Sequence, residues 1–517
     1  MSAWRSGRRG LRLLEPPVTN DALLREGTDA TVMKEKLPEA REVANKAIFG
    51  ILALGSRQVL VHGVNLAGNV MLARLLSPKD FGVYAVVIFL ITFLGTFGGT
   101  GLASNLIRSV RPPTDDEYAA VFTAQQIVLC SVTGALTLLA PKLTQIYHLQ
   151  RSYVWLFWLA AMALMITSLT VIPQIRMERE LAFSRLAVAE VWQTIMFNVC
   201  AVVLAWRGFG GMSFGIALLV RALTSVIAIY LLEPWRPRWH WDWKIIRSNL
   251  SFGIYYQFSQ VLSLVKDAIV PLLLGLVLGA ASVGYTSWAS MVASYPVLAL
   301  MILQRVYLPT FSRLQHEPPA LKRFVEKVVL ATNALAAPAS VFMLVLIYPL
   351  TAMVYGPKWY VAIPLYFLFW TTNLFSPTST PLLALLNAMG FARIVFAFTV
   401  LWMVMTWVIG IPLVLRFGAI GLAWANVCVQ VSNLFLFAIV KRKLPLLISA
   451  SIVPGWALAA VVGLLLWWVN RVHPIQSIAM LLAYLSVGVL VYGSGMLYWH
   501  GPEIRQLLPL VRSRRVA

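Results

Sequence analysis

Apolar runs long enough to cross a bilayer recur almost from end to end of this 517-residue chain, each bounded by a few basic or turn-forming residues. A spanning helix needs about 20 such residues, whereas a membrane β-barrel would show strands of about 10 with alternating character. The pattern predicts helices near 47–76, 81–107, 118–140, 152–173, 185–206 and 210–232, then 248–278, 282–308, 324–353, 360–386, 392–415 and 418–440, and finally 446–470 and 475–498. Between the first six and the second six lies EPWRPRWHWDWK, whose tryptophans suit a membrane–water interface, where one part of the ring is apolar and the other wet.

The two sets of six carry a faint internal repeat. A shift of 202 places Gln58-Val59-Leu60 on Gln260-Val261-Leu262, Asn65 on Asp267 and Gly82 on Gly284. Later in each half a shift of 208 places Pro173, Phe183 and Arg185 on Pro381, Phe391 and Arg393. Matches in order at a nearly constant offset indicate duplication, and an even number of spans per repeat predicts parallel halves with a site between them. The predicted fold class is therefore all-α, a polytopic membrane protein of about 14 transmembrane helices in two pseudo-repeated six-helix lobes plus two C-terminal helices. Its expected divisions are a basic cytoplasmic tail (1–46), an N-lobe (47–232), a cytoplasmic linker (233–247), a C-lobe (248–440), and the last two spans with a basic C-terminus (441–517).

Composition agrees: 59% of residues are hydrophobic and only 12% charged, with a mean hydropathy of +0.77. The net charge of +22 does not point to nucleic acid, because the basic residues sit at the ends of apolar runs rather than in one soluble domain. They speak about topology. With the N-terminus inside, and leaving the tail aside, the inner connections hold 22 Lys and Arg against 7 on the outside, so both termini are expected in the cytoplasm. The tail has no apolar core and no cleavable signal, and its arginines and lysines suit anionic lipid headgroups. Cys130, Cys200 and Cys428 all fall inside apolar runs and are expected to be packing residues, neither disulfides nor metal ligands.

No GxxxxGK[ST] or HExxH motif occurs, and no outer connection is long enough for a catalytic domain. The chain is thus expected to be a transporter without cofactor rather than an enzyme. Candidate chemistry lies in polar residues inside the spans, where each charge costs a few kcal/mol. In the first span Arg57, Asn65 and Asn69 repeat at multiples of four, with His62 three before Asn65, so all four share one helical stripe. The competing reading is that such groups only knit helices together. Arg221 lies near the middle of the sixth span, and the seventh carries Gln260, Ser263, Lys266 and Asp267. Lys266 and Asp267, about 100° apart on a helix, are not expected to face one cavity together, and a structural ion pair is the competing reading. Arg74 is expected to snorkel and Glu190 to pair with an inner-end arginine. His62, Glu190 and Asp267 form the plausible titrating set for ion coupling. Excess intramembrane positive charge implies an anionic cargo, for which phosphate or pyrophosphate is the natural partner of guanidinium groups.

Two stretches, LARLLSPKDFGVYAVV after the polar first helix and IPQIRMERELAFSRLAVAEVW between the fourth and fifth spans, resemble the polysaccharide-transport (Wzx-type) flippases of the multidrug/oligosaccharidyl-lipid/polysaccharide exporter superfamily. The resemblance covers about 45–440; the 46-residue tail is longer than such flippases usually carry. It implies a V-shaped pair of lobes around a cationic cavity, and a bacterial inner-membrane protein that carries an undecaprenyl-pyrophosphate-linked oligosaccharide to the outer leaflet for O-antigen, capsule or exopolysaccharide synthesis. Arg57, Arg221 and Lys266 would hold the pyrophosphate, with Asn65, Asn69 and Gln260 offering hydrogen bonds to sugars and His62 and Asp267 completing the site. Implied partners are the lipid-linked substrate, membrane lipids, and a polysaccharide polymerase with its chain-length machinery. A peptidoglycan-precursor flippase or a drug/cation exporter of the same superfamily is the alternative; a membrane polymerase or ligase would require a large outer loop that this chain lacks.

In a variant without native cysteines, reagent added outside the cell should label a cysteine at position 79 and leave cysteines at 111 and 238 untouched; the opposite pattern would invert the topology.

Overall fold

The computed structural model describes residues 58–512 apart from Val59, Ser109, Val110 and Ala299. Every regular element among them is helical. The first half comprises α1 (residues 60–75), α2 (Pro78–Arg108), α3 (Asp115–Ile146), α4 (Val154–Ser168), α5 (Val171–Arg179), α6 (Phe183–Trp206) and α7 (Met212–Leu232). The second comprises α8 (Trp243–Asp267), α9 (Gly275–Leu278), α10 (Ala280–Leu298), α11 (Leu300–Leu314), α12 (Pro318–Leu350), α13 (Ile363–Phe369), α14 (Thr372–Ala388), α15 (Ala392–Phe417), α16 (Ala419–Val431) and α17 (Asn433–Lys443). Two further helices, α18 (Ile448–Val472) and α19 (Ile478–Arg512), complete the described chain.

Local chemistry sets the helix starts. Pro78 opens α2, Asp80 Oδ2 accepts from the Ser77 N–H at 3.0 Å, and Ser77 Oγ accepts from the Asp80 N–H at 3.3 Å, a reciprocal cap on two otherwise unpaired donors. Thr114 and Glu117 make the same arrangement at α3. At α8 the Asp242 carboxylate accepts from the Lys244 and Ile245 N–H groups. This cap begins the helix at Trp243, ahead of the apolar run that starts near 248.

Eleven stretches of the described residues are long and apolar enough to cross a membrane. The three other expected spans differ for identifiable reasons. The 47–76 span lies partly outside the described residues. The 282–308 span corresponds to α10 and α11, which flank Ala299, a residue outside those described. The 360–386 span is divided into a 3-10 segment (Pro357–Ala362), α13 and α14, and α14 carries Pro377, Pro381 and a run of hydroxyl side chains.

The largest buried cluster joins the halves. Phe81 packs edge-on against Phe214 of the first half, with ring centroids 5.5 Å apart, and against Trp359 of the second at 5.3 Å; Trp359 in turn stacks on Trp288. Beside this cluster α2 and α10 touch backbone to backbone. A Cβ on Gly82 would fall 1.6 Å from the Ala280 carbonyl oxygen, and one on Gly284 would fall 1.8 Å from that of Pro78. The contact is reciprocal and keeps the 202-residue offset of the repeat, since Pro78 corresponds to Ala280 and Gly82 to Gly284. Two copies of one unit meeting about a two-fold axis make contacts of this kind.

The last two helices pack on α12. Trp456 Nε1 donates to Asn333 Oδ1 at 2.9 Å, Asn333 Nδ2 donates to Thr378 Oγ1 at 3.0 Å, and Tyr492 Oη donates to the Ala334 carbonyl. The connection after α7 is docked on α3: Trp235 is buried against Phe122, and the His240 N–H donates to Thr123 Oγ1, while Trp239, Trp241 and Trp243 are exposed as an interface requires. One expectation needs correction. Of the three cysteines only Cys200 packs against the core; Cys130 and Cys428 are exposed on the bundle.

Gly82→Ala should separate α2 from α10 and lower the thermal stability of the detergent-solubilised protein, overpacking typically costing about 1–3 kcal/mol. Gly134→Ala, with nothing within 4 Å of its new Cβ, should leave stability unchanged. Equal melting behaviour of the two variants would show that the α2–α10 contact is not tight.

Candidate functional site

The turn between α1 and α2 is where the two halves are tied. The final carbonyls of a helix lack intrahelical donors, and those of α1 find them in the second half. Lys358 Nζ donates to the Arg74 and Leu76 carbonyls at 2.8 and 2.6 Å, and Trp359 Nε1 donates to the Ala73 carbonyl at 2.9 Å. Arg74 Nε donates to the Val354 carbonyl at 2.7 Å, so it bridges the halves instead of simply snorkelling. Beneath the turn the buried Asp80 accepts from Ser77 Oγ at 2.6 Å and from Tyr153 Oη at 2.8 Å. Burial lowers the Lys358 pKa from its ordinary value, and the Asp80 charge opposes that shift.

The polar stripe of α1 faces α6. Asn198 Nδ2 donates to Asn65 Oδ1 at 3.0 Å and to the Thr194 carbonyl at 2.9 Å, and a Cβ on Gly68 would collide with the Asn198 amide. Asn65 thus knits α1 to α6. Gln58 and His62 are 3.3 Å apart, one turn apart on α1, and Asn69 is half-buried. Arg57 lies outside the described residues, as does the Gln260 side chain. Arg221 is exposed on α7 beside Tyr84, which stacks on Phe214 at 3.9 Å. Among the described residues no carboxylate lies within ion-pair distance of Arg221. At the ends of α5 and α6, Arg176 and Arg185 pair with Glu233, the acid at the end of α7.

Lys266 and Asp267 occupy the other half. They pair with each other at 3.3 Å, and both line one cavity of about 590 Å³ enclosed by α8, α10, α14, α15 and α16. The expectation that they could not share a cavity fails because, although both lie on α8, the long Lys266 side chain bends back to the Asp267 carboxylate, so the two charged ends converge on one wall. Trp407 Nε1 fixes this helix end by donating to the Val265 carbonyl. No hydrogen bond or ion pair joins Arg221 to Lys266.

The rest of the cavity wall was not anticipated. Asn426, Gln430 and Asn433 line it, as do Thr372, Ser376 and Thr380 on α14. The spacing i, i+4, i+8 places the second set on one face of α14, and Asn426 and Gln430 share a face of α16 that Asn433 continues at the start of α17. This is the signal that singled out α1, and it is visible in the sequence once uncharged residues are weighed like charged ones.

The chain resembles proteins of known role and known fold. It is 23% identical over 467 residues, 86% of its own length and 91% of the relative's, to the succinoglycan biosynthesis transport protein ExoT of Rhizobium meliloti (strain 1021). It is 24% identical to the lipopolysaccharide biosynthesis protein WzxC of Escherichia coli (strain K12), over 77% of this chain and 81% of that one. Its fold matches the lipid II flippase MurJ in an inward closed conformation, with a TM-score of 0.64 at 13% identity, covering 88% of this chain and all of that one. It also matches an inward-facing MATE-family transporter of the MOP superfamily, with a TM-score of 0.54 at 17% identity, covering 76% and 95%. The model of a family described as polysaccharide biosynthesis protein matches residues 71–364, a stretch that contains the turn between α1 and α2, Asp80, Arg221, Lys266 and Lys358. Since that match spans more than half of the chain, this multi-pass helical membrane protein belongs to the polysaccharide biosynthesis protein family.

Proposed function

We propose that the protein is a flippase that moves an undecaprenyl-pyrophosphate-linked oligosaccharide from the cytoplasmic to the outer leaflet of a bacterial inner membrane, for assembly of a surface polysaccharide. The observation that carries this reading is Arg221, a guanidinium inside a span for which the described residues supply no carboxylate. A charge held inside a span without a partner is stabilised when something of opposite sign visits it, and a pyrophosphate suits the planar fork of an arginine. The relatives named as transport and lipopolysaccharide biosynthesis proteins support the same cargo class. A drug/cation exporter would need an acidic cavity, whereas the intramembrane Asp267 is already engaged by Lys266. That pairing makes Lys266 a weaker anion ligand than the arginines, and it makes Asp267, with His62 and Glu190, a candidate for ion coupling.

In this reading residues 47–232 and 248–440 act as two lobes, both termini are cytoplasmic, and the end of the bundle that carries the α1–α2 turn faces outward. The Lys358, Trp359 and Arg74 contacts then close the outer side, and release of cargo requires them to break. A polysaccharide polymerase with its chain-length machinery takes the product.

Cells lacking the protein should accumulate lipid-linked oligosaccharide in the cytoplasmic leaflet; accumulation in the outer leaflet would place the block after transport and refute a flippase. In rescued cells, export normalised to protein in the membrane should fall about tenfold or more for Arg221→Ala and Arg57→Ala, the scale of one lost charge-assisted contact. Arg57→Lys should keep part of it, and full normalised export by Arg57→Gln and Arg221→Gln would remove the pyrophosphate role. A disulfide joining the α1–α2 turn to the 357–362 segment should stop transport until it is reduced; undiminished transport with complete crosslinking would rule out opening at that end.

A further inference from the structure

The cavity of the second half is electrically balanced and lined with hydrogen-bond acceptors. Among the described residues that line it, the one cation, Lys266, and the one carboxylate, Asp267, neutralise each other. Neither an anion nor a cation therefore finds a net opposite charge there, and no cluster of metal-ligating side chains exists among the described residues. The uncharged polar groups of the wall are hydroxyls and amides, set among apolar side chains such as Ile269, Phe369 and Leu422. Thr406 Oγ1 donates to the Trp402 carbonyl of its own helix at 2.7 Å and Ser294 Oγ to the Met291 carbonyl at 2.7 Å, so both hydroxyls keep only their lone pairs for the cavity.

The amides are arranged with the same polarity. Asn426 Nδ2 donates to Thr372 Oγ1 at 3.3 Å, Gln430 Nε2 to Asn426 Oδ1 at 3.4 Å, and Asn433 Nδ2 to the Gln430 carbonyl at 2.9 Å and to its Oε1 at 3.4 Å. The series ends on Asn433 Oδ1, which belongs to a side chain only 3% exposed and accepts no hydrogen bond. Buried acceptors are normally satisfied. A ligand that suits this wall is uncharged and carries donors for these oxygens, and because the Asn426 and Gln430 amides each have a second N–H it can carry acceptors as well. Trp402, held by a bond from its Nε1 to Ser432 Oγ at 3.0 Å, adds a broad apolar surface. Hydroxyls around an apolar ring face describe a sugar.

We propose that this cavity is the sugar-recognition subsite of the protein, in which Thr406, Asn426, Gln430 and Asn433 accept hydrogen bonds from the hydroxyls of one or two pyranose rings while Trp402 packs against a ring face. The proposal rests on the flippase reading and divides its cargo: the pyrophosphate lies with the arginines, and the sugar is read by the second half. Sugar recognition thereby moves away from Asn65, whose oxygen already accepts from Asn198. A volume of about 590 Å³ lies within the range of pockets that enclose small ligands.

The test uses the full-length protein in lipid nanodiscs and two probes, undecaprenyl pyrophosphate without sugar and the lipid-linked oligosaccharide extracted from cells lacking the gene. Thr406→Val is nearly isosteric and removes an oxygen bonded only within its own helix, so the variant is expected to fold; Gln430→Leu is the second variant. The double variant should bind the glycosylated lipid about tenfold more weakly, the sum of two neutral hydrogen bonds, and should bind the sugar-free lipid like the wild type. Equal loss for both probes, or no loss for either, would overturn the subsite. A change only in the sodium dependence of binding would overturn it as well, by making the cavity a cation site. Failure of the wild-type protein to bind either probe would instead refute the flippase reading.

Discussion

The backbone carbonyls at the end of α1 cannot be left bare where the helix stops against the second half, and their satisfaction organises the molecule. Lys358 and Trp359 reach across from the segment after α12 and cap them, while Asp80, two residues into α2, holds the turn rigid through Ser77 and Tyr153. Around this point the Phe81, Phe214, Trp288 and Trp359 rings exclude other contacts, and the glycine pair Gly82 and Gly284 brings α2 and α10 to backbone distance. Hydrogen bonds between a side chain of one half and the backbone of the other are directional and few. Such a joint can be stable when made and still be broken as a unit, unlike the continuous apolar packing of α18 and α19 against α12.

Charge is distributed by the same economy of acids. Where basic residues gather at the ends of α5 and α6, Glu233 serves two arginines at once. Inside the spans Lys266 takes Asp267, while no carboxylate among the described residues pairs with Arg221. The consequence is a first half with an uncompensated positive charge and a second half whose cavity is neutral and hydroxylated. A pyrophosphate joined to a sugar presents that same pair of chemistries.

Hydropathy alone made the all-helical membrane class legible, because about 20 apolar residues per span is a requirement of bilayer thickness that no tertiary arrangement relaxes. The duplication was legible in the Gly82 and Gly284 match for a physical reason as well: only glycine allows the close approach that both copies make. The family was legible in LARLLSPKDFGVY, whose Ser, Pro, Asp and Gly are the cap and contact residues of the joint itself. Within the spans near 282–308 and 360–386 the hydroxyl residues were averaged with apolar neighbours, and several of them, Ser290, Ser294, Thr372, Ser376 and Thr380, line the cavity.

Pairing could not be read in one dimension. The Lys266–Asp267 pair, the Asn65–Asn198 bond and the partnership of Arg74 with Val354, 280 residues away, depend on where helices end and which faces meet. A sequence states which groups are costly to bury, and from that it determined the class, the repeat and the charged candidates. Which of those groups compensate one another, and which remain open to a ligand, is decided only by packing, since an ion pair or hydrogen bond exists over a few ångströms of space that sequence distance does not encode.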